Sequence, residues 1–266
     1  MDMKKFFYLV AVALLALGAV SCKKDNVKNN EAGYGVDSRT PMPKAVDIGT
    51  VDKDGNPVLW ASFNLGASKE YEYGNYYAWG EKEQKTFYSW GTYIFANGSY
   101  NSLVKYCTTS QIGRGFWDTV ALPSGPDGLV TLEAVDDVAS DRLGGKWRTP
   151  LKDDWTALLA LKGNEDYEWE ELVSVPDGNG NDILGVRITR KSTGATLFFP
   201  AAGYCYDARI GEGAGNDGNY WSSSIQTGVN EQPQAAIYAY FTNSSDLRTS
   251  IAARCNGMSV RPVMTK

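Results

Sequence analysis

The sequence predicts an α+β domain, and three observations support this class. Two stretches have helical periodicity, strand-like alternation precedes them, and more alternation with a long irregular segment follows them. This order is typical of α+β folds rather than of repeated βαβ units. The 266 residues, 43% of them hydrophobic, are enough for one large domain or two small ones.

The first predicted strands flank a turn. Apolar residues alternate over 46–51, and a second strand-like run covers 58–63. Asp52, Asp54 and Asn56 between them resemble the first half of a calcium loop, but the glutamate that completes such a loop is missing. We therefore expect a hairpin turn here.

Two helices are predicted in the middle of the chain. The first covers about 133–143, and its apolar face consists of Val135, Val138, Ala139 and Leu143. The second begins with Thr149 as N-cap and Pro150 at the first helical position, a favourable start because proline has no N–H to leave unsatisfied. Gly163 ends it.

The remaining elements are predicted to be strands. Residues 184–188 alternate, 192–194 form a turn, and 196–199 return. A further strand is indicated by the alternation over 237–241, and a last one near 257–263 completes the domain.

Composition excludes several functions. The net charge is −5, so nucleic-acid binding is not expected. The chain has no histidine, which excludes Ser-His-Asp and Cys-His catalysis and histidine-ligated zinc. The adjacent pairs Asp136-Asp137 and Glu170-Glu171 are expected on solvated faces, because helical neighbours point about 100° apart. We predict no enzyme, no cofactor and no metal site.

The N-terminus is predicted to be a signal peptide, residues 1–21, with Lys4 and Lys5 before a short apolar run. The residues that lead into Cys22 resemble a bacterial lipobox, although leucine is usual where Ala19 stands. That resemblance implies lipidation of Cys22. The alternative is an ordinary cleaved signal with an incidental cysteine.

A polar segment follows the signal, and we expect residues 22–42 to be a flexible tether before a domain over 43–266. A charged stretch after the cysteine accompanies surface display in lipoproteins of this type. The expected location is therefore the outer membrane, exposed at the cell surface and held by the lipid anchor.

Eight phrases, spread over about 45–264, resemble the bacterial major paralogous domain group, FISUMP. They are VDIG at 46–49, WA at 60–61, NLGA at 64–67, EYGNYYAWGE at 72–81, GGKWRTP at 144–150, FPAAGY at 199–204, YWSS at 220–223 and SVRPV at 259–263. The resemblance implies a C-type-lectin-like fold with two helices, a mainly antiparallel sheet and long irregular loops. It also implies a secreted or surface domain.

We expect such a domain to act in non-catalytic recognition or adhesion, with a glycan or a surface protein as partner. The alternatives are an outer-membrane accessory or structural lipoprotein without ligand, and an enzyme related to the formylglycine-generating oxidases. Calcium-dependent sugar binding is not expected, because Trp221 is followed by Ser222 and Ser223 where calcium lectins have Asn and Asp. Hydroxyls bind calcium poorly.

The resemblance places the ligand surface in the loop between a strand ending at Gly203 and one starting at Tyr220. Its candidate binding residues are Tyr204, Tyr206, Asp207, Arg209, Asn216, Asp217 and Asn219. The tyrosines offer stacking area, and the polar residues offer hydrogen bonds. The alternative is a merely solvated loop. A second candidate is the polar loop 226–234.

Two residue types remain open to interpretation. The aromatic-rich stretch 71–95 suits either sugar stacking or core packing, and we favour the core. Three cysteines follow Cys22, so an oxidising compartment allows at most one bridge between them. We predict a Cys205–Cys255 disulfide, since both lie in the motif-rich half, and a lone buried thiol at Cys107.

Overall fold

The computed structural model describes residues 40–108, 127–227 and 232–266, together with the backbone of two paired strands, β1 (Lys28–Asn29) and β2 (Gly35–Val36). The predicted signal peptide 1–21 and Cys22 lie outside the described residues. The predicted tether 22–42 is described only at β1 and β2 and from residue 40 onward. In these parts of the chain, no helix has the length and apolarity needed to cross a bilayer.

The described chain is mostly antiparallel β-sheet with two short α-helices, which agrees with the predicted α+β class. The two ends of the domain meet in one sheet. Its strands are β3 (Ala45–Val51), β4 (Pro57–Ala61), β16 (Val263–Thr265) and β6 (Trp147–Arg148), in that spatial order. The Asp52 carboxylate accepts the Asp54 and Asn56 N–H groups, both at 2.9 Å, so the predicted hairpin turn is confirmed.

A second sheet consists of β7 (Tyr167–Pro176), β8 (Asp182–Arg190) and β9 (Ala195–Pro200). The β8–β9 hairpin was predicted, whereas β7 was not. Glu170 and Glu171 therefore lie on a strand and not on a helix, and the ladder is irregular between Glu170 and Val173. Leu172 adopts φ of 55° at this irregularity.

The remaining strands form two further sheets. One is β12 (Gly218–Ile225), β13 (Ala235–Thr242) and β14 (Ser245–Ala253). The other is, in spatial order, β11 (Arg209–Glu212), β10 (Tyr204–Tyr206), β15 (Gly257–Met258) and β5 (Tyr77–Ala78). The segment between Gly203 and Tyr220, which was expected to be an irregular loop, is thus largely the β10–β11 hairpin. The expected last strand is divided into β15 and β16.

Both helices are shorter than predicted. The first, α1, covers Val138–Leu143 with Asp137 as N-cap, and Val135 is exposed rather than part of its apolar face. The second, α2, covers Lys152–Leu159, so Thr149 is not its N-cap. The Asp154 carboxylate instead accepts the Leu151 N–H at 2.6 Å and so satisfies one of the free donors at this end.

The expectation that Asp137 is solvated is wrong, because its carboxylate is only 3% exposed. It accepts the Thr149 hydroxyl at 2.6 Å, the Thr149 N–H at 2.8 Å and the Ala139 N–H at 2.9 Å. Burial raises the pKa of Asp137, and these hydrogen bonds oppose that rise. Asp137 thereby connects the GGKWRTP phrase to the start of α1.

Two clusters of buried residues form the core. The first surrounds Trp79 and Trp221, and the second surrounds Trp60 and Trp155, whose ring centroids are 4.8 Å apart. Within the aromatic-rich stretch, Tyr77 and Trp79 are at most 4% exposed, and the preferred core interpretation is confirmed for them.

Arg261 of the SVRPV phrase is fully buried and connects three distant segments. Its Nε donates to Asn64 Oδ1 at 2.8 Å, and its two Nη atoms donate to the Ala61 and Phe198 carbonyls at 3.3 and 2.7 Å. The guanidinium also lies 4.6 Å from the Phe199 ring centroid. Burial lowers the pKa of Arg261 to about 10, so it remains a cation at neutral pH.

Replacement of Arg261 by leucine is expected to lower the free energy of unfolding by about 3 kcal/mol or more. Three buried acceptors would lose their donor, and each unsatisfied polar group costs about 1–3 kcal/mol. Urea denaturation measures the change. The matched control is Arg209→Leu, since that side chain is 60% exposed and its loss should cost under about 0.5 kcal/mol. Equal stability of the two variants would contradict the role of Arg261.

Candidate functional site

Four half-buried tyrosines on two strands form the candidate site, which we call the tyrosine ladder: Tyr204, Tyr206, Tyr238 and Tyr240. Successive side chains of a strand point to opposite faces. In β10 the buried Cys205 therefore separates Tyr204 from Tyr206, and in β13 the buried Ala239 separates Tyr238 from Tyr240. In each strand the core residue points inward, and both tyrosines lie on the other face.

Each tyrosine pair is stacked along its strand. The ring centroids of Tyr204 and Tyr206 are 5.6 Å apart with planes inclined by 17°, and those of Tyr238 and Tyr240 are 5.3 Å apart with planes inclined by 27°. These are offset-stacked arrangements, which the ring quadrupole favours over direct face-to-face contact.

An arginine covers the outer ring of each pair, and strand register places it there. In the β10–β11 hairpin Arg209 is opposite Tyr206, and its guanidinium lies 4.8 Å from the ring centroid. In the β13–β14 pair Arg248 is opposite Tyr240, at 4.9 Å from the centroid. Arg209 Nη1 also donates to the Tyr206 hydroxyl. Cation–π attraction holds both guanidiniums against the rings.

The inner rings of the two stacks are Tyr204 and Tyr238. Both rings pack against the first core cluster, and the Trp221 ring contacts Tyr238 edge-on at 6.1 Å. Burial, followed by the neighbouring Tyr240, raises the pKa of Tyr238, and Tyr204 acts in the same direction. Burial likewise raises the pKa of Tyr204. Both hydroxyls therefore remain protonated at neutral pH and can donate hydrogen bonds.

This geometry corrects the expectation that Tyr204 and Tyr206 supply free stacking area. The face of Tyr206 is covered by Arg209, and Tyr206 is itself stacked on Tyr204. The groups that the ladder presents to a ligand are therefore phenol hydroxyls and guanidinium N–H groups, more than open ring faces.

The structure does not gather all seven predicted residues into one site. Asp207 is at the hairpin tip with φ of 48°, and its backbone exchanges hydrogen bonds with Tyr88. Asn216 and Asp217 both donate their main-chain N–H to the Gly213 carbonyl, which makes them turn residues. Burial raises the pKa of Asp217. These three residues stay outside the ladder.

Among the amide and carboxylate candidates, Asn219 is the one that lies beside the ladder. It is opposite Tyr240 in the β12–β13 register and only 7% exposed. No described residue accepts a hydrogen bond from its Nδ2. Asn219 thus adds an unsatisfied donor next to the ladder.

The sequence analysis did not identify three residues of this site: the ladder tyrosines Tyr238 and Tyr240, and Arg248. The alternation of Ile237, Ala239 and Phe241 was read as a strand, and the same period of two puts the intervening tyrosines on the opposite face. That signal was present in the sequence. The position of Arg248 was not predictable, because β14 was not predicted.

The second candidate loop, 226–234, is only partly described, since residues 228–231 lie outside the described residues. At its end Gln234 is 5% exposed, and its main-chain carbonyl accepts the Arg254 N–H at 3.0 Å. Gln234 is therefore a core residue and not a ligand contact.

The predicted Cys205–Cys255 disulfide is wrong for this structure, in which both cysteines are free and buried. The backbone pairs Cys205 with Gly257, and Cys255 lies in the turn before β15. Each sulfur contacts another group: Gly211 N–H donates to Cys205 Sγ at 3.4 Å, and Cys255 Sγ lies 3.9 Å from Asn256 Oδ1. Cys107 is buried, as predicted.

A cleft of about 250 Å³ beside the bulge of β7 is lined by the carboxylates of Glu171 and Asp246. Lys162 Nζ contacts both carboxylates, Glu171 and, at 2.6 Å, Asp246. Burial and the bond to Asp246 raise the pKa of Glu171, whereas Glu171 and Lys162 lower that of Asp246. The shared lysine makes this cluster an ion-pair connection between α2, β7 and β14.

Over the ranges that the structure describes, no group of three or more His, Cys, Asp or Glu residues is arranged to hold a metal ion. Comparison of the chain with protein-family models, with curated proteins and with solved structures finds no match in any of the three. The residues of the site are therefore the basis for any function assigned to this chain.

The thiols of Cys205 and Cys255 are expected to resist alkylation in the native protein and to react on denaturation without any reductant. Burial raises the pKa of Cys205 and brings that of Cys255 to about 12, which suppresses the reactive thiolate. Mass spectrometry after maleimide treatment measures both states. If the denatured protein were labelled at these cysteines only after reduction, the result would support the Cys205–Cys255 disulfide and contradict the free thiols.

Proposed function

We propose that this chain is a lipid-anchored recognition module of the bacterial cell surface, non-catalytic, which binds a glycan through the tyrosine ladder. The single observation that carries this proposal is the presence of two stacked tyrosine pairs, each covered by an arginine. Tyrosine and arginine are among the side chains enriched at protein–protein interfaces and their hot spots. They combine large contact area with polar groups at the tip.

The chemistry of the ladder supports binding rather than catalysis. The phenols of Tyr204 and Tyr238 remain protonated at neutral pH, because burial raises their pKa, and guanidinium groups do not lose their proton in proteins. Such groups hold a ligand by hydrogen bonds but do not exchange protons with it, which general acid–base catalysis requires.

Membership of the FISUMP group and a C-type-lectin-like fold belong to the same proposal. The structure gives framework roles to residues of the shared phrases, as Arg261 and Thr149 illustrate. Trp221 is 1% exposed, and Ser222 Oγ donates to the Ile237 carbonyl at 2.7 Å. If these phrases serve folding, recognition belongs to the segments between them, which include β10, β11 and β13.

The anchor at Cys22 and the tether 22–42 complete the proposal. Acylation of Cys22 would hold the domain at the outer membrane, since each buried acyl methylene contributes about 0.8 kcal/mol. The domain would then present the ladder to glycans of the surroundings.

The test compares the full chain in detergent with a Tyr204→Ser/Tyr238→Ser variant on an array of immobilised glycans and surface proteins. The variant should lose binding by about tenfold or more, because each hydrogen bond contributes about 1 kcal/mol. Tyr71→Ser is the matched control, since that ring is also half-buried with a lysine, Lys69, 5.5 Å from its centroid.

Retained binding by the double variant would reject the ladder as the site. If the wild-type chain bound nothing on the array, the alternative of a structural lipoprotein without ligand would be favoured. Thermal unfolding of both variants, measured in parallel, shows whether a loss of binding comes from the removed hydroxyl contacts or from an unfolded domain.

A further inference from the structure

We infer that the ligand of the tyrosine ladder is an acidic polysaccharide, whose carboxylate or sulfate groups bind Arg209 and Arg248. This inference rests on the proposed function and names the ligand class for the same site. Three properties of the ladder lead to it: an excess of hydrogen-bond donors, two exposed cations, and the placement of those cations on two different tyrosine pairs.

The ladder offers more donors than acceptors. Each guanidinium has five N–H donors and no acceptor, and each phenol has one donor. The Tyr206 oxygen already accepts a hydrogen bond from Arg209, which leaves its proton for a ligand. An acceptor-rich ligand satisfies such a surface, and carboxylates and sulfates are the strongest acceptors.

Both arginines are free to bind an anion. Arg248 is exposed, and no carboxylate of the described residues lies within ion-pair distance of it. Arg209 is 60% exposed and its nearest carboxylate, Glu212, is 3.9 Å away and 47% exposed, so this pair is weak. The planar guanidinium matches a carboxylate or sulfate by two parallel hydrogen bonds.

The charge around the ladder is mixed, because Asp207 and Glu212 share the hairpin with Arg209 and Asp246 precedes Arg248 in β14, and the whole chain has a net charge of −5. General electrostatic attraction does not bring acidic polymers to this protein. An acidic ligand that binds must contact these two arginines specifically.

The position of the arginines favours a polymer over a small anion. Arg209 lies over Tyr206 and Arg248 lies over Tyr240, so the two cations belong to different tyrosine pairs and a monovalent anion neutralises only one of them. A chain with repeated anionic groups contacts both, and the second contact gains from a high effective concentration. Beside the arginines, phenols donate and accept hydrogen bonds as sugar hydroxyls do, which favours a polysaccharide over an acidic peptide.

The experiment measures binding of the full chain in detergent to two matched pairs of probes. Oligogalacturonate is compared with its methyl ester, and dextran sulfate is compared with dextran. The acidic member of at least one pair should bind at least tenfold more tightly than its neutral partner. The pair that discriminates shows whether carboxylate or sulfate is recognised.

Arg209→Gln and Arg248→Gln should each weaken acidic-probe binding about tenfold, as expected for loss of a charge-assisted contact. Lys146→Gln is the control, because Lys146 is exposed, lies outside the ladder, and its loss changes the net charge equally. An unchanged affinity in both arginine variants, or an equal loss with Lys146→Gln, would overturn the inference.

The remaining outcomes separate the inference from the proposed function. Equal binding of acidic and neutral probes, lost in Tyr204→Ser/Tyr238→Ser, would reject the acidic ligand and keep the ladder as a glycan site. Binding to none of the four probes, with a signal from an acidic peptide such as polyglutamate, would identify a protein partner instead. No binding to any of these probes would reject the acidic ligand, whereas the glycan function is rejected only if the array also shows no binding.

Discussion

The fold depends on one buried cation, Arg261. Arg261 lies just before β16, the strand that brings the C-terminus to β4, and its guanidinium donates to Asn64, Ala61 and Phe198. These acceptors lie in the first hairpin region and in β9, so a single side chain connects the start, the middle and the end of the domain. A buried guanidinium without such partners would be strongly destabilising.

The tyrosine ladder is a consequence of the same framework. The sheet that contains β13 buries Ile237, Ala239 and Phe241, and the period of two then places Tyr238 and Tyr240 on the other face. Cys205 fixes β10 in the same manner. Cross-strand register, and not sequence proximity, then places Arg248 over Tyr240. Recognition groups are thus held by residues that have only structural roles.

The sequence predicted those elements whose patterns are local. The Asp52 turn and the β8–β9 hairpin have strong alternation and turn residues, and both are present. The start of α2 was misplaced because Asp154 accepts the Leu151 N–H, whereas Thr149 binds Asp137. β7 and β14 were missed, since their burial pattern does not alternate regularly and tertiary pairing determines them. At the candidate site, the sequence analysis identified Tyr204, Tyr206 and Arg209 but not the residues of β13 and β14.

The most direct test of the ladder as a recognition surface is an NMR titration of the full chain in detergent with oligogalacturonate and dextran sulfate. Side-chain signals of Tyr204, Tyr206, Tyr238 and Tyr240, and the Nε–H signals of Arg209 and Arg248, should shift first and most strongly. Signals near Trp60 and Arg261 should stay unchanged, because those residues are buried in the framework. Shifts centred on the Glu171–Asp246 cleft, or spread evenly over the surface, would contradict this account.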